Sequence, residues 1–178
     1  AVEAGNIRHA EVSFHGGNAS LYGKNHPEGM KRFEGTTAQS VTEFLVMNQR
    51  VMFDRIKGDD RLSRHITVLP GMAQFRTTRC IAGDYTLQET DKYRHFDDSV
   101  GAICDFDRRD LLYEVPYRCL VREGYDNLIP AGRCAAADGY AWDILRVIPP
   151  AILTGQAAGL AAAQAAAEGV AIRDVQLD

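Results

Sequence analysis

The sequence has little of what a nucleic-acid-binding or a secreted protein needs. Its 20 lysines and arginines are outnumbered by 24 aspartates and glutamates, the formal net charge is −4, and no stretch is strongly basic. Because a nucleic-acid-binding protein requires a cationic face to displace counterions, that class is disfavoured. The N-terminal "AVEAGNIRHAEVSF" (1–14) has no basic segment followed by an apolar run, so no signal peptide is predicted.

Paired cysteines and metal-ligand spacings are also missing. None of the four cysteines forms a C-x-x-C motif, and a chain of 178 residues can bury a core without disulfides. We expect reduced, buried thiols in a cytoplasmic protein, with a disulfide or redox pair as the alternative. The five histidines lack the i, i+4 spacing of a helical zinc site, so no metal site is predicted. The cysteines are Cys80, Cys104, Cys119 and Cys134.

Long hydrophobic runs are limited to one segment, "AILTGQAAGLAAAQAAA" (151–167). It consists mainly of alanine and glycine and contains Gln156 and Gln164. Because the transfer of alanine and glycine into lipid is only weakly favourable, we predict a buried helix of a soluble protein and no membrane partner.

A clear helical pattern begins near residue 37. Apolar residues recur at helical spacing over 41–56, and Gly58 follows at a position suited to end a helix. Residues 36–39 and residues 40–43 each offer a capping-box start. We predict an amphipathic helix over 37–57 whose apolar stripe packs into a core.

The rest of the first 122 residues predicts short strands. Gly83-Asp84 is a plausible turn between the arms of a hairpin. Thr86 and Glu89 are suited to cap a short helix after it. Pro116 cannot donate to a strand ladder, so its strand should be an edge strand or carry a bulge. The predicted strand segments are 7–14, 65–70, the hairpin 73–87, 100–106 and 113–121.

The last third of the chain has a different character. We predict a buried strand and glycine turn over 127–134, then a short helix or loop over 135–148. A long alanine-rich helix then starts at Pro149-Pro150 and ends at Gly169. The fold class is therefore mixed α/β (α+β). Its two predicted parts are residues 1–122 and residues 123–178.

The start of the alanine-rich helix has the chemistry of a binding site. We expect free N–H groups there and find no Asp or Glu in the first turn, so the helix end attracts an anion or a carbonyl oxygen. Small side chains at i, i+3, i+4 and i+7 let a sheet or a flat ligand approach closely; the alternative is a helix packed tightly in a core. The expected N–H donors are Ala151, Ile152, Leu153 and Thr154, and the small residues are Gly155, Ala158, Gly159 and Ala162.

Three motifs in this last third resemble those of one enzyme family. They are "AGRC" (131–134), "LR" (145–146) and "GQAAG" (155–159), with an acidic residue between the first two. This spacing resembles the flavin-contacting segment of FAD-dependent oxidoreductases that are distantly related to the fumarate reductase and succinate dehydrogenase flavoproteins. Including two upstream segments, the resemblance covers roughly residues 65–175. Those segments are "RTTRCIAGDYTL" (76–87) and "YEVPYRCL" (113–120).

The resemblance implies a fold, a cofactor and an activity. A Rossmann-like lobe holds FAD, and a β-rich substrate domain interrupts that lobe. Residues 1–122, with one amphipathic helix, then belong to the substrate domain, and the strand–loop–helix segment 123–178 returns to complete the FAD lobe. The implied reaction transfers a hydride between a small-molecule substrate and FAD.

The resemblance also implies roles for individual residues. Gly132 and Arg133 would lie beside the ribityl and pyrophosphate groups of FAD. The backbone around Ala151 and Ile152 would face the pyrimidine edge of the isoalloxazine, where reduced flavin carries negative charge. Arg146 would lie at the reactive face of the flavin and bind substrate.

Further candidate residues have both a functional and a structural interpretation. One of Arg76 and Arg79 anchors an anionic substrate, or both are surface or ion-paired side chains. Asp138 contacts the cofactor or caps the next helix. His95 is a proton donor near the flavin or an exposed structural residue.

Three more side chains have the same two interpretations. Tyr85 and Tyr117 line a pocket or pack in the core. Cys134 lies near the flavin or is structural, since no second cysteine is adjacent to it in the sequence.

One family feature is absent from this sequence. The family has a strand followed by G-x-G-x-x-G and an acidic residue, which bind the ADP part of FAD. We therefore expect a C-terminal fragment whose partner is a missing N-terminal FAD-binding lobe, and which alone is inactive and binds FAD weakly or not at all. The alternative is a non-catalytic interaction or oligomerisation module that packs through its alanine-rich helix, against another protein or in a homo-oligomer. A hydrolase has little support, because G-x-S-x-G is absent.

Overall fold

The computed structural model describes residues 33, 35–58, 62, 71, 73, 75 and 77–176. The predicted strands 7–14 and 65–70, and Arg76, lie outside the described residues. The described part contains three α-helices, a two-stranded antiparallel sheet and several single turns of 3-10 helix, so the mixed character was predicted correctly. The elements are α1 (Ala38–Lys57), β1 (Ser99–Cys104), β2 (Leu112–Pro116), α2 (Gly139–Leu145) and α3 (Ile148–Glu168).

The contacts divide the chain into two compact units, with the boundary between Thr78 and Arg79. The assignment of residues 1–122 to a substrate domain and of 123–178 to an FAD lobe stays a prediction.

Helix α1 confirms the predicted helix over 37–57. Thr37 is its N-cap: the residue has extended backbone angles, and its hydroxyl accepts a hydrogen bond from the Ser40 N–H at 3.2 Å. The predicted capping residues Thr36 and Ser40 were therefore wrong by one and three positions. The helix ends at Gly58, as predicted.

The buried side of α1 carries an aromatic contact. Phe44 is buried, and its ring centroid lies 5.5 Å from that of Phe33 and 4.5 Å from that of Phe75. The predicted apolar stripe thus packs in a core at Phe44, whereas Val46 and Phe53 are exposed.

The second unit is built around the β1–β2 hairpin. Ile103 pairs with Tyr113, and the register is irregular between Ser99 and Ala102. Strand β2 ends at Pro116, because proline has no N–H with which to continue a ladder. The prediction that the strand continues to residue 121 was therefore wrong; a 3-10 turn, Tyr117–Cys119, follows instead.

The predicted hairpin over 73–87 was also wrong, within the residues described there. The N–H groups of Ile81, Tyr85 and Leu87 donate to Cys134, Arg118 and Ala136 at 2.9, 3.0 and 3.1 Å, respectively. These backbone N–H groups thus bond to partners far along the chain and not to the other arm of a local hairpin.

The predicted short helix after this segment is only a single 3-10 turn, Glu89–Asp91. Its N-cap is Gln88, and neither Thr86 nor Glu89 has that position. The Asp91 carboxylate accepts the Gln88 N–H at 2.9 Å.

Helices α2 and α3 agree with the sequence. The segment predicted as a short helix or loop contains α2, and α3 has Pro149 and Pro150 in its first turn and Gly169 in the left-handed conformation, φ 68°, as its C-cap. No single helix among the described residues is long and apolar enough to cross a membrane; only α2 and α3 taken together, bent by 80°, meet that test by length and composition.

The second unit has an exposed pair whose charge depends on pH. The Nδ1 of His95 lies 3.0 Å from the Glu114 carboxylate, which also accepts the Phe96 N–H at 2.9 Å. The hydrogen bond to Glu114 raises the pKa of His95 above its ordinary 6.5. The bonds from Phe96 and His95 lower the pKa of Glu114 below its ordinary 4.5.

We expect this pair to stabilise the fold most between about pH 4.5 and 6.5. A raised histidine pKa contributes stability below 6.5 that is lost as the pH rises through the folded-state value. A lowered glutamate pKa contributes stability above 4.5 that is lost as the pH falls through its folded-state value. The measurement is the free energy of unfolding of wild type minus that of His95→Gln at several pH values. A difference that does not shrink between pH 6 and pH 9 would contradict the assignment.

Candidate functional site

The predicted cofactor segment begins with a tight turn and not with a strand. Gly132 is buried with φ +65° and opens a 3-10 turn, Gly132–Cys134. The predicted buried strand over 127–134 was wrong: Leu128 is exposed, and Pro130 has no N–H for a ladder. The glycine turn itself was predicted correctly.

A buried hydroxyl joins this turn to α3. Thr154 is fully buried; its Oγ1 accepts the Gly132 N–H at 2.8 Å and donates to the Pro150 carbonyl at 2.7 Å. Side-chain replacement at Gly132 would be crowded, because an added Cβ would lie 3.2 Å from the Ala151 Cβ. The turn and the first turn of α3 therefore approach each other closely.

The structural role of Thr154 was missed by the sequence analysis. Thr154 is the one hydroxyl on the buried face of α3, whose other buried residues are Pro150 and three alanines. A single hydrogen-bonding side chain on an otherwise apolar face was the available signal for such a contact.

Replacement of Thr154 tests this contact. We expect Thr154→Val, which keeps the shape but removes the hydroxyl, to lower the free energy of unfolding by about 1–3 kcal/mol, because the buried Gly132 N–H loses its acceptor. Thr154→Ser keeps the hydroxyl and is the matched control. Chemical denaturation of both variants measures the difference, and equal losses would show that the hydrogen bond contributes nothing.

The predicted free N–H donors at the start of α3 were wrong. The helix begins at Ile148, so the Ala151 N–H already donates to the Val147 carbonyl at 3.1 Å. Pro149 and Pro150 have no N–H to offer. Ile152, one residue further into the helix, has an exposed side chain. A contact of Ala151 or Ile152 with flavin stays a prediction, but it does not rest on unpaired donors.

Arg133 combines a fixed backbone with an exposed side chain. Its carbonyl accepts the indole N–H of the buried Trp142 at 3.0 Å. Its guanidinium is exposed and has no ion-pair partner in the part of the chain that the structure describes.

The two ends of α2 carry the other predicted residues. Asp138 is the N-cap and accepts the Gly139 N–H at 2.7 Å, which confirms the capping interpretation. Arg146 is the C-cap, and its Nε lies 2.8 Å from the Asp143 carboxylate. Both side chains of that ion pair are largely buried, at 13% and 9% exposure. Cofactor or substrate contact by Asp138 and Arg146 stays a prediction.

Arg79 and His95 lie away from α2 in sequence. Arg79 is exposed and comes two residues before Ile81, which is bonded to the glycine turn through Cys134. Its substrate-binding role stays a prediction. His95 is exposed in its pair with Glu114, which agrees with the structural interpretation.

The two candidate tyrosines make internal contacts. The Tyr85 hydroxyl donates to the Asp91 carboxylate at 2.8 Å, and its ring lies 5.2 Å from that of Phe96. Burial and the Asp91 charge raise the pKa of Tyr85. The buried Tyr117 donates to the Ile172 carbonyl at 2.6 Å. Core packing is therefore the better description of both, although Tyr117 also borders two open clefts.

The cysteines are free, but the expectation that they are buried holds only in part. Cys119 is buried, and burial raises its pKa to about 12, so its thiol is protonated at neutral pH. Cys80 is half-buried, while Cys104 and Cys134 are exposed. Among the described residues, no group of three His, Cys, Asp or Glu side chains could hold a metal ion.

One long face of α3 is exposed and almost without charge. Ala158 packs inward, so it is not part of the smooth face predicted for it, and Gly155 and Gly159 are exposed with open space around them. The exposed face is uncharged from Ile148 to Ala167. Its exposed large side chains are Ile148, Ile152 and Leu160.

The comparison with protein families identifies the class. The family model described as "FAD dependent oxidoreductase" matches residues 34–178. The chain therefore belongs to this family of flavin-linked redox enzymes. No curated protein and no solved structure matches the chain.

The residues around the glycine turn fit parts of FAD. The absence of a side chain at Gly132 and the exposed cation of Arg133 suit a polyanionic group passing close to the backbone. The small residues of α3 suit a flat ring or a packed element. The Gly132 and Ala151 N–H groups are already bonded, so Arg133 is the donor that remains for phosphate.

Proposed function

We propose that this chain supplies the C-terminal flavin-contacting segment, and part of the substrate domain, of an oxidoreductase that transfers a hydride between a small-molecule substrate and FAD. The observation that carries the proposal is the Gly132 turn, held against the first turn of α3 by Thr154, with the exposed Arg133 beside it. Family membership supports the flavin-linked chemistry.

In this proposal, different residues bind the cofactor and the substrate. FAD, when bound, would supply the ring that accepts or donates the hydride. Arg133 pairs with the pyrophosphate, and Gly132 lets the backbone approach the ribityl chain. Arg146, oriented by Asp143, presents its remaining guanidinium N–H groups to an anionic or carbonyl group of the substrate. Arg79 is a second candidate anchor for the substrate.

The proposal includes a partner lobe. The sequence has no G-x-G-x-x-G, so the ADP part of FAD needs a dinucleotide-binding strand and loop from elsewhere. The exposed face of α3 would pack against that lobe and complete a Rossmann-like fold. The chain alone is then inactive and retains FAD weakly or not at all, and the complete enzyme is cytoplasmic.

The exposed face of α3 also favours a second candidate function. A surface helix normally carries charged residues on its solvent side, and α3 has none from Ile148 to Ala167. A homo-oligomerisation module would cover this face with a second copy of the chain. The two candidates differ in flavin binding and in oligomeric state.

The test compares the chain alone with the full-length gene product. Absorbance near 450 nm after gel filtration reports retained flavin, and light scattering reports oligomeric state. We expect flavin only in the full-length protein, and about tenfold weaker FAD binding on Arg133→Met, which loses an ion pair worth about 1.4 kcal/mol or more. The homo-oligomerisation module would be favoured if the full-length protein contained no flavin and the chain alone formed stable oligomers.

Two substitutions on α3 refine this test. Gly155 and Ala167 are both exposed and lie about 18 Å apart along the helix. Gly155→Leu adds bulk near the proposed flavin site, and in the described part of the chain its Cβ would meet nothing within 4 Å. We expect it to weaken FAD retention. Ala167→Leu, on the same exposed face but far from that site, is the matched control: equal losses of FAD retention in the two variants would assign the effect to packing of the lobe and not to the flavin site.

A further inference from the structure

A buried carboxylate lies just after β1, outside the candidate site. Asp105 follows β1 and is 9% exposed. Its Oδ1 accepts the N–H groups of Asp107 and Arg108 at 2.8 and 3.0 Å and the hydroxyl of Tyr140 at 3.0 Å. Its Oδ2 is buried and has no hydrogen-bond partner among the described residues.

A second buried polar atom lies on the same face of the hairpin. Tyr113 pairs with Ile103, and Asp105 comes two residues after Ile103, so all three side chains point to one side of the sheet. The Tyr113 hydroxyl is buried and, within the described part of the chain, also has no partner. Burial and the charges of Glu89 and Asp105 raise the pKa of Tyr113.

The bond from Tyr140 to Asp105 connects the hairpin to α2. Tyr140 is the second residue of this seven-residue helix, next to its cap Asp138, and Arg146 ends the same helix. Arg108 lies over the Tyr140 ring at 3.9 Å and is itself paired with Glu89 at 2.6 Å. The ring is thus held at its hydroxyl and on its face.

The carboxylate holds three donors in place through Oδ1, while its Oδ2 has no partner among the described residues. An unpartnered buried oxygen is costly, but an apolar residue here would leave the N–H groups of Asp107 and Arg108 and the Tyr140 hydroxyl without their acceptor. A helix of seven residues has little stability of its own, so its position depends on tertiary contacts. A hydrogen bond to a charged acceptor is among the strongest and most directional that a protein can supply.

We propose that Asp105 is a positioning residue which, through Tyr140, fixes α2 and thereby places Asp138 and Arg146 against the bound flavin and substrate. This inference rests on the proposed function. In this inference, the β1–β2 hairpin orients α2. Asp105 itself touches neither flavin nor substrate.

Tyr140→Phe in the full-length, flavin-loaded protein tests the inference. We expect kcat to fall about tenfold or more through misplacement of Arg146, and the visible flavin spectrum to shift. Tyr117→Phe is the matched control. Tyr117 is also buried, but its hydroxyl donates to the Ile172 carbonyl and makes no bond that holds α2. It should lower the melting temperature but leave the flavin spectrum and kcat unchanged.

A second variant covers the case in which Tyr140→Phe does not fold. Asp105→Asn keeps an acceptor oxygen for Tyr140, and we expect its flavin spectrum to match wild type and its kcat to stay within about threefold. Asp105→Leu removes the acceptor and should reproduce the kcat loss. Identical spectra and kcat for Tyr140→Phe, Asp105→Leu and wild type would overturn the inference, as would equal losses in Tyr140→Phe and Tyr117→Phe. A wild-type protein without flavin would instead overturn the proposed function.

Discussion

Gly132→Ala should lower the free energy of unfolding by about 2–4 kcal/mol, the sum of two costs. The left-handed backbone at φ +65° disfavours any Cβ, and a Cβ there would lie 3.2 Å from the Ala151 Cβ. Because the Ala151 Cβ belongs to a helix held by Thr154, it has little room to move. The measurement is equilibrium unfolding in denaturant.

Gly169→Ala separates the two costs. Gly169 has almost the same backbone angle, φ +68°, but nothing lies within 4 Å of the position of an added Cβ. We expect it to lose only the conformational part, about 1–2 kcal/mol. If the free energy of unfolding falls equally in both variants, the close approach of the turn to α3 does not contribute to the cost of Gly132→Ala. In the full-length protein, Gly132→Ala should also weaken FAD retention, whereas Gly169→Ala should not.

The second large effect is expected at Arg146. Arg146→Met leaves Asp143 as an uncompensated charge at 9% exposure and should cost about 3–5 kcal/mol. Arg118→Met removes an arginine that binds Asp98 through two N–H groups, in a pair whose side chains are 49% and 22% exposed. That control should cost about 1 kcal/mol or less, because solvent screens the pair. Similar losses in the two variants would contradict a buried role for the Arg146 pair.

A double variant separates the structural role of Arg146 from the substrate-binding role proposed for it. Asp143→Leu combined with Arg146→Met replaces the ion pair with apolar side chains and should recover most of the lost stability. If this stable double variant of the full-length protein still has no turnover, Arg146 acts on substrate or flavin. If turnover returns with stability, Arg146 only holds the fold, and the substrate-binding role proposed for it fails.

The proposed function and the positioning role of Asp105 depend on the same short helix. Helix α2 is capped by Asp138, bonded through Tyr140 to the hairpin, and ended by the Arg146 pair. Of these contacts, the bond from Tyr140 to Asp105 reaches another segment of the chain, whereas the other two lie within α2 and its caps. A change at Tyr140 or Asp105 is therefore expected to alter the flavin environment without touching the cofactor directly.

Features that depend on neighbouring residues could be predicted from the sequence. Helix α1 follows from its apolar spacing, and α3 follows from its alanines, with Pro149 and Pro150 at one end and Gly169 at the other. These signals act within one or two helical turns. The A-G-R-C and G-Q-A-A-G motifs likewise predicted a flavin-linked enzyme, and membership of that family agrees.

The meeting of distant segments depends on tertiary packing and could not be predicted from local pattern. An alternating segment such as 79–87 has the same pattern whether its partner is adjacent or, as here, Arg118 and Ala136. The apolar residues before Gly132 have no conformational preference that distinguishes a strand from an extended loop. The Thr154 hydroxyl links α3 to the glycine turn because folding places the buried Gly132 N–H 2.8 Å from it. Local propensity is a property of the sequence, whereas the pairing of buried polar groups depends on which surfaces pack together.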